Sequence, residues 1–184
     1  MAITPKHAQR VFDDADLVYS HDQLMEALDR LALQVEDRVA DANPLIISVL
    51  NGGLIPTGFL VTRFHFPFQL DYLHATRYRG NTTGGQLHWY ARPQNSLQDR
   101  VVVLIDDILD EGHTLKAIVE ECLAAGAKEV LSVAILEKMH GRPKAIAADF
   151  TGLPVEDRYV FGFGMDYREY WRSLPGVYAV KDDE

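Results

Sequence analysis

The sequence predicts an α/β fold, a mainly parallel sheet flanked by helices. Three observations predict it. Stretches of strand length alternate with stretches of helical period along most of the chain. Three of the strand-like runs, PLIISVL (44–50), VVVLI (101–105) and VLSVAIL (130–136), are apolar with little or no alternation, as strands covered on both faces are. No low-complexity linker interrupts the series, so the 184 residues are expected to form one domain with a full core.

Residues 1–43 are expected to be an N-terminal helical region. In SHDQLMEALDRLALQVEDRVADANP, Ser20 and Gln23 have the spacing of a capping box, and Leu24, Leu28, Leu31, Val35 and Val39 recur at helical spacing. Asn43-Pro44 closes that helix, because the residue before a proline is pushed out of the helical region. PLIISVL is the first buried strand. It is followed by Asn51-Gly52-Gly53 and a second helical stretch, LIPTGFLVTRF. Phe68 to Tyr78 reads as a strand and Gln86 to Ala91 as its hairpin partner, with the polar, glycine-rich RGNTTGGQ between them. Strand Val101–Ile105 comes next, then a helix from Thr114 to Ala125 stopped by Gly126, then strand Val130–Leu136. A last strand is expected near Tyr159–Phe163.

Composition narrows the function classes. Hydrophobic content of 47% and charged content of 24% are those of an ordinary globular chain. With 18 basic against 27 acidic residues, a net charge of −9 and no dense basic cluster, neither a nucleic acid nor an anionic membrane is the expected partner. No apolar run approaches the roughly 20 residues that span a bilayer. The stretch MAITPKHAQRVFDDADL has no apolar centre of the secretory kind, and the one cysteine, Cys122, permits no internal disulfide. A cytoplasmic location is the expectation.

The stretch VVVLIDDILDEGHTLKAI (101–118) holds four carboxylates within six positions, Asp106, Asp107, Asp110 and Glu111. Like charges so close repel, more strongly as water is excluded, so a cation or a hydroxyl-rich ligand is expected among them. In a parallel sheet, ligands sit beyond the carboxyl ends of the strands, where Asp106 and Asp107 are expected, just past VVVLI. DEGHT then leads into a helix, so the backbone N–H groups of about Glu111 to Thr114 converge on one point with the helix dipole behind them. Such a turn binds a phosphate. Gly112 supplies a positive φ or a close approach, and Thr114 a hydroxyl. The plain alternative is a solvated acidic helix start, where carboxylates are favourable anyway. Neither GxxxxGK[ST] nor GxGxxG occurs, which sets aside the triphosphatase and dinucleotide loops.

The whole string, an apolar run, DDxxDxGxT and a helix, resembles the 5-phosphoribosyl-1-pyrophosphate (PRPP) motif of the type I phosphoribosyltransferases. The resemblance extends from about Leu45 to Pro175 and reaches the hypoxanthine-guanine phosphoribosyltransferases of purine salvage, through LNGG (50–53), ILEKM (135–139) and DRYVFGFGMDYREYWRSLPG (157–176). It implies a type I fold with a catalytic core over residues 44–175 and a hairpin lid near 76–91. The implied reaction joins a 6-oxopurine to Mg-PRPP, giving the nucleoside monophosphate and pyrophosphate.

The resemblance also implies roles for particular residues. Asp106 and Asp107 meet the ribose hydroxyls directly or through Mg2+, and Asp166 is a second magnesium ligand. Glu111, Gly112, His113 and Thr114 hold the 5′-phosphate, and Asp110 is the catalytic carboxylate near purine N7. Lys138 donates to purine O6, Tyr159 stacks on the base and Val160 contacts its edge. Asn51, Gly52 and Arg172 meet the pyrophosphate, and Arg77 and Tyr78 belong to the lid. Read without the resemblance, Lys138 is a solvated lysine, Tyr159 a packing residue and RGNTTGGQ a polar hairpin loop. The chain departs from the family in three places: Asn51 stands where many members carry lysine, Glu111 where serine or threonine is common, and Arg77 where a serine is usual. A homodimer or homotetramer is implied. The alternatives are a xanthine-preferring relative and an RNA-binding regulator on the same fold, the latter disfavoured by the charge balance. Adenine is disfavoured because its 6-amino group would meet Lys138 donor to donor.

Overall fold

The computed structural model describes residues 3–77 and 87–181. Along the chain run α1 (Pro5–Asp14), β1 (Asp16–Tyr19), α2 (His21–Val39), a short 3-10 turn (Ala40–Ala42), β2 (Leu45–Leu50), α3 (Leu54–Val61), β3 (Gln69–Arg77), β4 (Leu87–Ala91), β5 (Val101–Leu109), α4 (His113–Ala124), β6 (Glu129–Met139), β7 (Phe150–Glu156), β8 (Val160–Phe161) and β9 (Val177–Ala179). Six strands form the main sheet in the order β4-β3-β2-β5-β6-β7, and three form a second, antiparallel sheet in the order β1-β9-β8. In the main sheet β3, β2, β5, β6 and β7 are parallel, and β4 is antiparallel on the edge.

Strand period two sorts the core. Ile46, Val101, Val103 and Ile105 pack on the face that carries Leu24, Leu28, Leu31, Val35 and Val39 of α2 and Leu60 of α3. Leu45, Ile47, Val102 and Leu104 face the opposite side, where Leu115, Ile118 and Cys122 of α4 cover them. Burial pushes the Cys122 thiol up to about 11, so it stays protonated at neutral pH and behaves as an apolar core group. Ser20 caps α2 as its spacing predicts: its hydroxyl accepts from the Gln23 amide, and the Gln23 side chain accepts from the Ser20 amide at 2.9 Å.

The chain leaves β2 through α3 toward β3 on one side, and later adds β5, β6 and β7 on the other. Because α3 and α4 cover opposite faces, the carboxyl ends of β2 and β5 border the crevice where such sheets bind ligands.

Several expectations need correction. β5 does not stop at Ile105 but runs to Leu109, so Asp106 and Asp107 lie within the strand, with Asp106 paired to Ala134. Polar residues there end the apolar run without ending the backbone ladder. For the same reason β6 reaches Met139, and Lys138 lies inside it, opposite Val155, instead of following it. The region expected to be helical through residue 43 contains β1, and the expected strand at 159–163 contracts to two residues in the second sheet. Strand β7 and the second sheet went unforeseen. The strands of that sheet are two to four residues long, too short to carry a period.

Candidate active site

The loop after β5 is built as its sequence suggests. Gly112 adopts φ +75°, and α4 begins at the next residue. The first bond into the helix runs from the Lys116 amide to the Gly112 carbonyl at 2.9 Å. The amides at the helix start therefore have no partner in the helix and point out of its positive end. The Glu111 carbonyl accepts from the Ala145 amide at 2.9 Å, which fixes the turn from the β6–β7 side. The Glu111 carboxylate is exposed and faces His113 at 3.9 Å and Arg142 at 4.0 Å. Arg142 in turn holds Asp157 at 2.9 Å. The added anion at position 111 thus has the Arg142 guanidinium within 4.0 Å.

Asp106 and Asp107 lie side by side at the carboxyl end of β5. The Asp107 amide donates to Asp106 Oδ1 at 3.0 Å, and the Ile108 amide to Asp107 Oδ1 at 2.7 Å. Burial, then the neighbouring Asp107 carboxylate, holds Asp106 well above the ordinary carboxylate range. Burial also raises Asp107, opposed by hydrogen bonds from Asp106 and Ile108 and by the charge of Arg172. The pair resists carrying two charges and tends to keep a proton that a divalent cation can replace. Magnesium takes one or two protein carboxylates with ligand oxygens completing its shell, and the pair fits that demand. Among the described residues no cluster of three or more metal-ligating side chains exists, so an ion here would depend on the ligand for most of its shell.

The loop after β2 leans on this pair. A Cβ on Gly52 would stand 1.8 Å from Asp107 Oδ2, and the peptide Leu50–Asn51 is cis. The resemblance implies that Gly52 meets the pyrophosphate. In this structure the side chain closest to Gly52 is the Asp107 carboxylate. Asn51 is exposed beside it.

A cleft of about 210 Å³ opens next to this corner, lined by Asp107, Ile108, Asp110, Lys138, Tyr159, Asp166 and the apolar Val160 and Met165. Lys138 Nζ stands 3.0 Å from Asp110 Oδ2. The lysine side chain is 14% exposed, not freely solvated, so the plain alternative for Lys138 does not hold. Tyr159 keeps 51% of its surface exposed at the rim and meets Tyr167 edge to face at 5.6 Å. Burial raises its hydroxyl above the ordinary tyrosine range. Asp166 is engaged on both oxygens, by Arg172 Nη2 at 2.6 Å and the Glu169 amide at 2.6 Å. Arg172 also donates to the Gly164 carbonyl at 2.8 Å, so its head is braced while its charge acts on Asp107. Arg77 ends β3 with its backbone paired to Leu87, and Tyr78 and RGNTTGGQ lie outside the described residues.

Sequence reasoning missed His140 and Arg142. His140 lies two residues beyond Lys138 on a strand's continuation, and its side chain is fully buried against Asp110. Period two along the strand, applied to KMH, carries that signal.

The family model for the phosphoribosyl transferase domain matches residues 14–169. The hypoxanthine-guanine phosphoribosyltransferase of Bacillus subtilis is 31% identical over 171 residues, 92% of this chain and 94% of its own. That of Streptococcus pneumoniae is 28% identical over 172 residues, 93% of this chain and 96% of its own. A solved hypoxanthine phosphoribosyltransferase from Staphylococcus aureus superposes with a TM-score of 0.86 and 26% identity, over 92% of this chain and 94% of that one.

Proposed function

The chain belongs to the phosphoribosyl transferase domain family, and from that premise we propose that it converts hypoxanthine and guanine with Mg-PRPP into IMP and GMP plus pyrophosphate. The observation that carries this reading is the Lys138–Asp110 pair at 3.0 Å in the cleft beside the phosphate turn. It sets one donor next to one acceptor. A 6-oxopurine carries the complement along one edge, an acceptor at O6 and an N–H at N7. Lys138 donates to O6 in a charge-assisted hydrogen bond, and Asp110 accepts from N7. Adenine offers an amino donor where Lys138 also donates, and it is rejected for the same reason.

Each neighbour takes a role from its place. Tyr159, half-exposed at the rim, covers the flat face of the base, and Val160 borders its edge. The amides of the Glu111–Thr114 turn hold the 5′-phosphate at the start of α4, with the Thr114 hydroxyl as a further donor and His113 facing outward. Asp106 and Asp107 take the ribose diol and would hold the magnesium ion. That ion, when bound, supplies charge neutralisation for the departing pyrophosphate. Asp166, already engaged on both oxygens, joins an ion only by sharing one of them. Arg172 and the Asn51-Gly52 loop flank the pyrophosphate side, and Arg172 supplies a cation where Asn51 does not.

In the transfer, N9 forms a bond to C1′ as the bond from C1′ to the pyrophosphate oxygen breaks. The positive charge gathered by the base leaves as the N7 proton, which Asp110 accepts. The carboxylates around the ribose stabilise the oxocarbenium character of C1′ as it develops. A pyrophosphate-release assay with PRPP, Mg2+ and each of hypoxanthine, guanine, xanthine and adenine tests this. Turnover with the first two and almost none with adenine is expected; adenine as the best base, or no release with any 6-oxopurine, would overturn it.

A further inference from the structure

Asp110 has two oxygens in different surroundings. Oδ2 meets Lys138, whereas Oδ1 is buried and makes no direct hydrogen bond among the described residues. The group facing Oδ1 is the His140 imidazole: Nε2 is 3.4 Å from Oδ1 and makes its hydrogen bond to the Asp110 carbonyl oxygen, also at 3.4 Å. The imidazole side chain has no exposure to solvent. Its other nitrogen has a fixed duty: the Arg142 amide stands 3.1 Å from Nδ1. An amide N–H can only donate, so Nδ1 accepts and the ring proton sits on Nε2, aimed at Asp110.

We propose that His140 is a positioning residue for the transfer step, holding the Asp110 carboxylate and its peptide through Nε2–H so that Oδ2 stays on the line to purine N7. This inference rests on the reading of Asp110 as the acceptor of the N7 proton. Among the described residues, Lys138, Arg142 and Asp157 near the imidazole each have another partner. Lys138 faces Oδ2, and Arg142 holds Asp157 at 2.9 Å and reaches Glu111 at 4.0 Å. A buried carboxylate oxygen facing one N–H at 3.4 Å is a contact with room to shorten. Shortening of that contact when the base binds would set the ionised carboxylate on the line to N7 before the proton is transferred, since catalytic hydrogen bonds often tighten only in the substrate complex.

Two substitutions separate the two ends of the ring. His140→Asn keeps an acceptor near Nδ1 for the Arg142 amide and removes the donor to Asp110. His140→Gln extends an amide donor toward the place of Nε2. Initial rates of pyrophosphate release are measured with hypoxanthine and PRPP varied separately, alongside melting temperatures. His140→Asn is expected to lower kcat about tenfold with both KM values within about twofold, the scale of one hydrogen bond to a charged group, and His140→Gln to recover most of the loss.

The double variant His140→Asn/Asp110→Asn is expected to be no slower than Asp110→Asn alone. That comparison decides the matter even if the melting temperature falls, because damage to the fold adds to the Asp110 loss and damage through Asp110 does not. If Asp110→Asn is slow while His140→Asn turns over like the parent, or the two losses multiply, His140 is a packing residue and the inference fails. If Asp110→Asn itself turns over normally, the reading of Asp110 fails first.

Discussion

Replacing Gly52 by alanine puts the junction of the two loops under direct test. The new Cβ would stand 1.8 Å from Asp107 Oδ2, 2.3 Å from its Cγ and 2.8 Å from Oδ1. Real Cβ atoms keep at least 3.0 Å, so the nearer oxygen must retreat by about 1.2 Å or the loop must move. The loop is poorly placed to yield. The Gly53 amide is bonded to the Val49 carbonyl at 2.8 Å, and Gly164 lies so close behind that a Cβ on it would come within 2.0 Å of the Gly52 carbonyl. Asp107 is therefore the group that shifts, and with it the ribose and metal contacts. A misplacement of about 1 Å at a reacting centre costs on the order of 10²-fold, or about 2.7 kcal/mol of transition-state stabilisation. Initial-rate pyrophosphate release, with PRPP varied at saturating hypoxanthine and the reverse, reads the two substrates apart. kcat/KM for PRPP should fall about 10²-fold with the KM for hypoxanthine within about threefold, since Lys138 and Tyr159 lie outside the clash. Unaltered PRPP kinetics in the folded variant would show that the contact between Gly52 and Asp107 is not part of the working site.

Three further outcomes follow from the same geometry. Asp110→Asn should bind PRPP almost normally yet lower kcat by about 10²-fold or more, the scale of a positioned acid–base group; equilibrium binding beside single-turnover rates checks it. Lys138→Gln should weaken kcat/KM for hypoxanthine and guanine by roughly 1.5–3 kcal/mol with little change in the KM for PRPP, and a loss confined to PRPP would displace the base from this cleft. Asp106→Asn should raise the melting temperature of the ligand-free protein at pH 7 by about 2–4 °C while abolishing most activity. The sign follows from the raised carboxyl: the fold binds this proton more tightly than the unfolded chain does. Stability is therefore lost as pH rises from near 3.8 through the raised value, and the advantage of the asparagine should vanish when melting is repeated near pH 4.

The sequence alone was sufficient for whatever rests on a period or a local rule. The buried strands 45–50 and 101–105, the capped helix after Ser20 and the positive φ of Gly112 all follow from residues within a few positions of one another. The family followed from the string DDxxDxGxT with its apolar run, because that combination is local too. Tertiary structure decided the rest. The second sheet joins Asp16–Tyr19 to Val177–Ala179, segments some 160 positions apart whose strands are too short to announce themselves, so only closure of the chain pairs them. Lys138 and Asp110 were each legible as candidates. That they meet at 3.0 Å depends on β5 and β6 running parallel in one register, which carries both polar residues past the apolar runs to the same rim. His140 behind Asp110 and Gly52 against Asp107 are products of the same register and of the crossing of β2 beside β5. A sequence specifies which side chains are present and their local period; which carboxylate oxygen faces which donor is settled only when distant strands pack, because that distance is a sum over the whole fold.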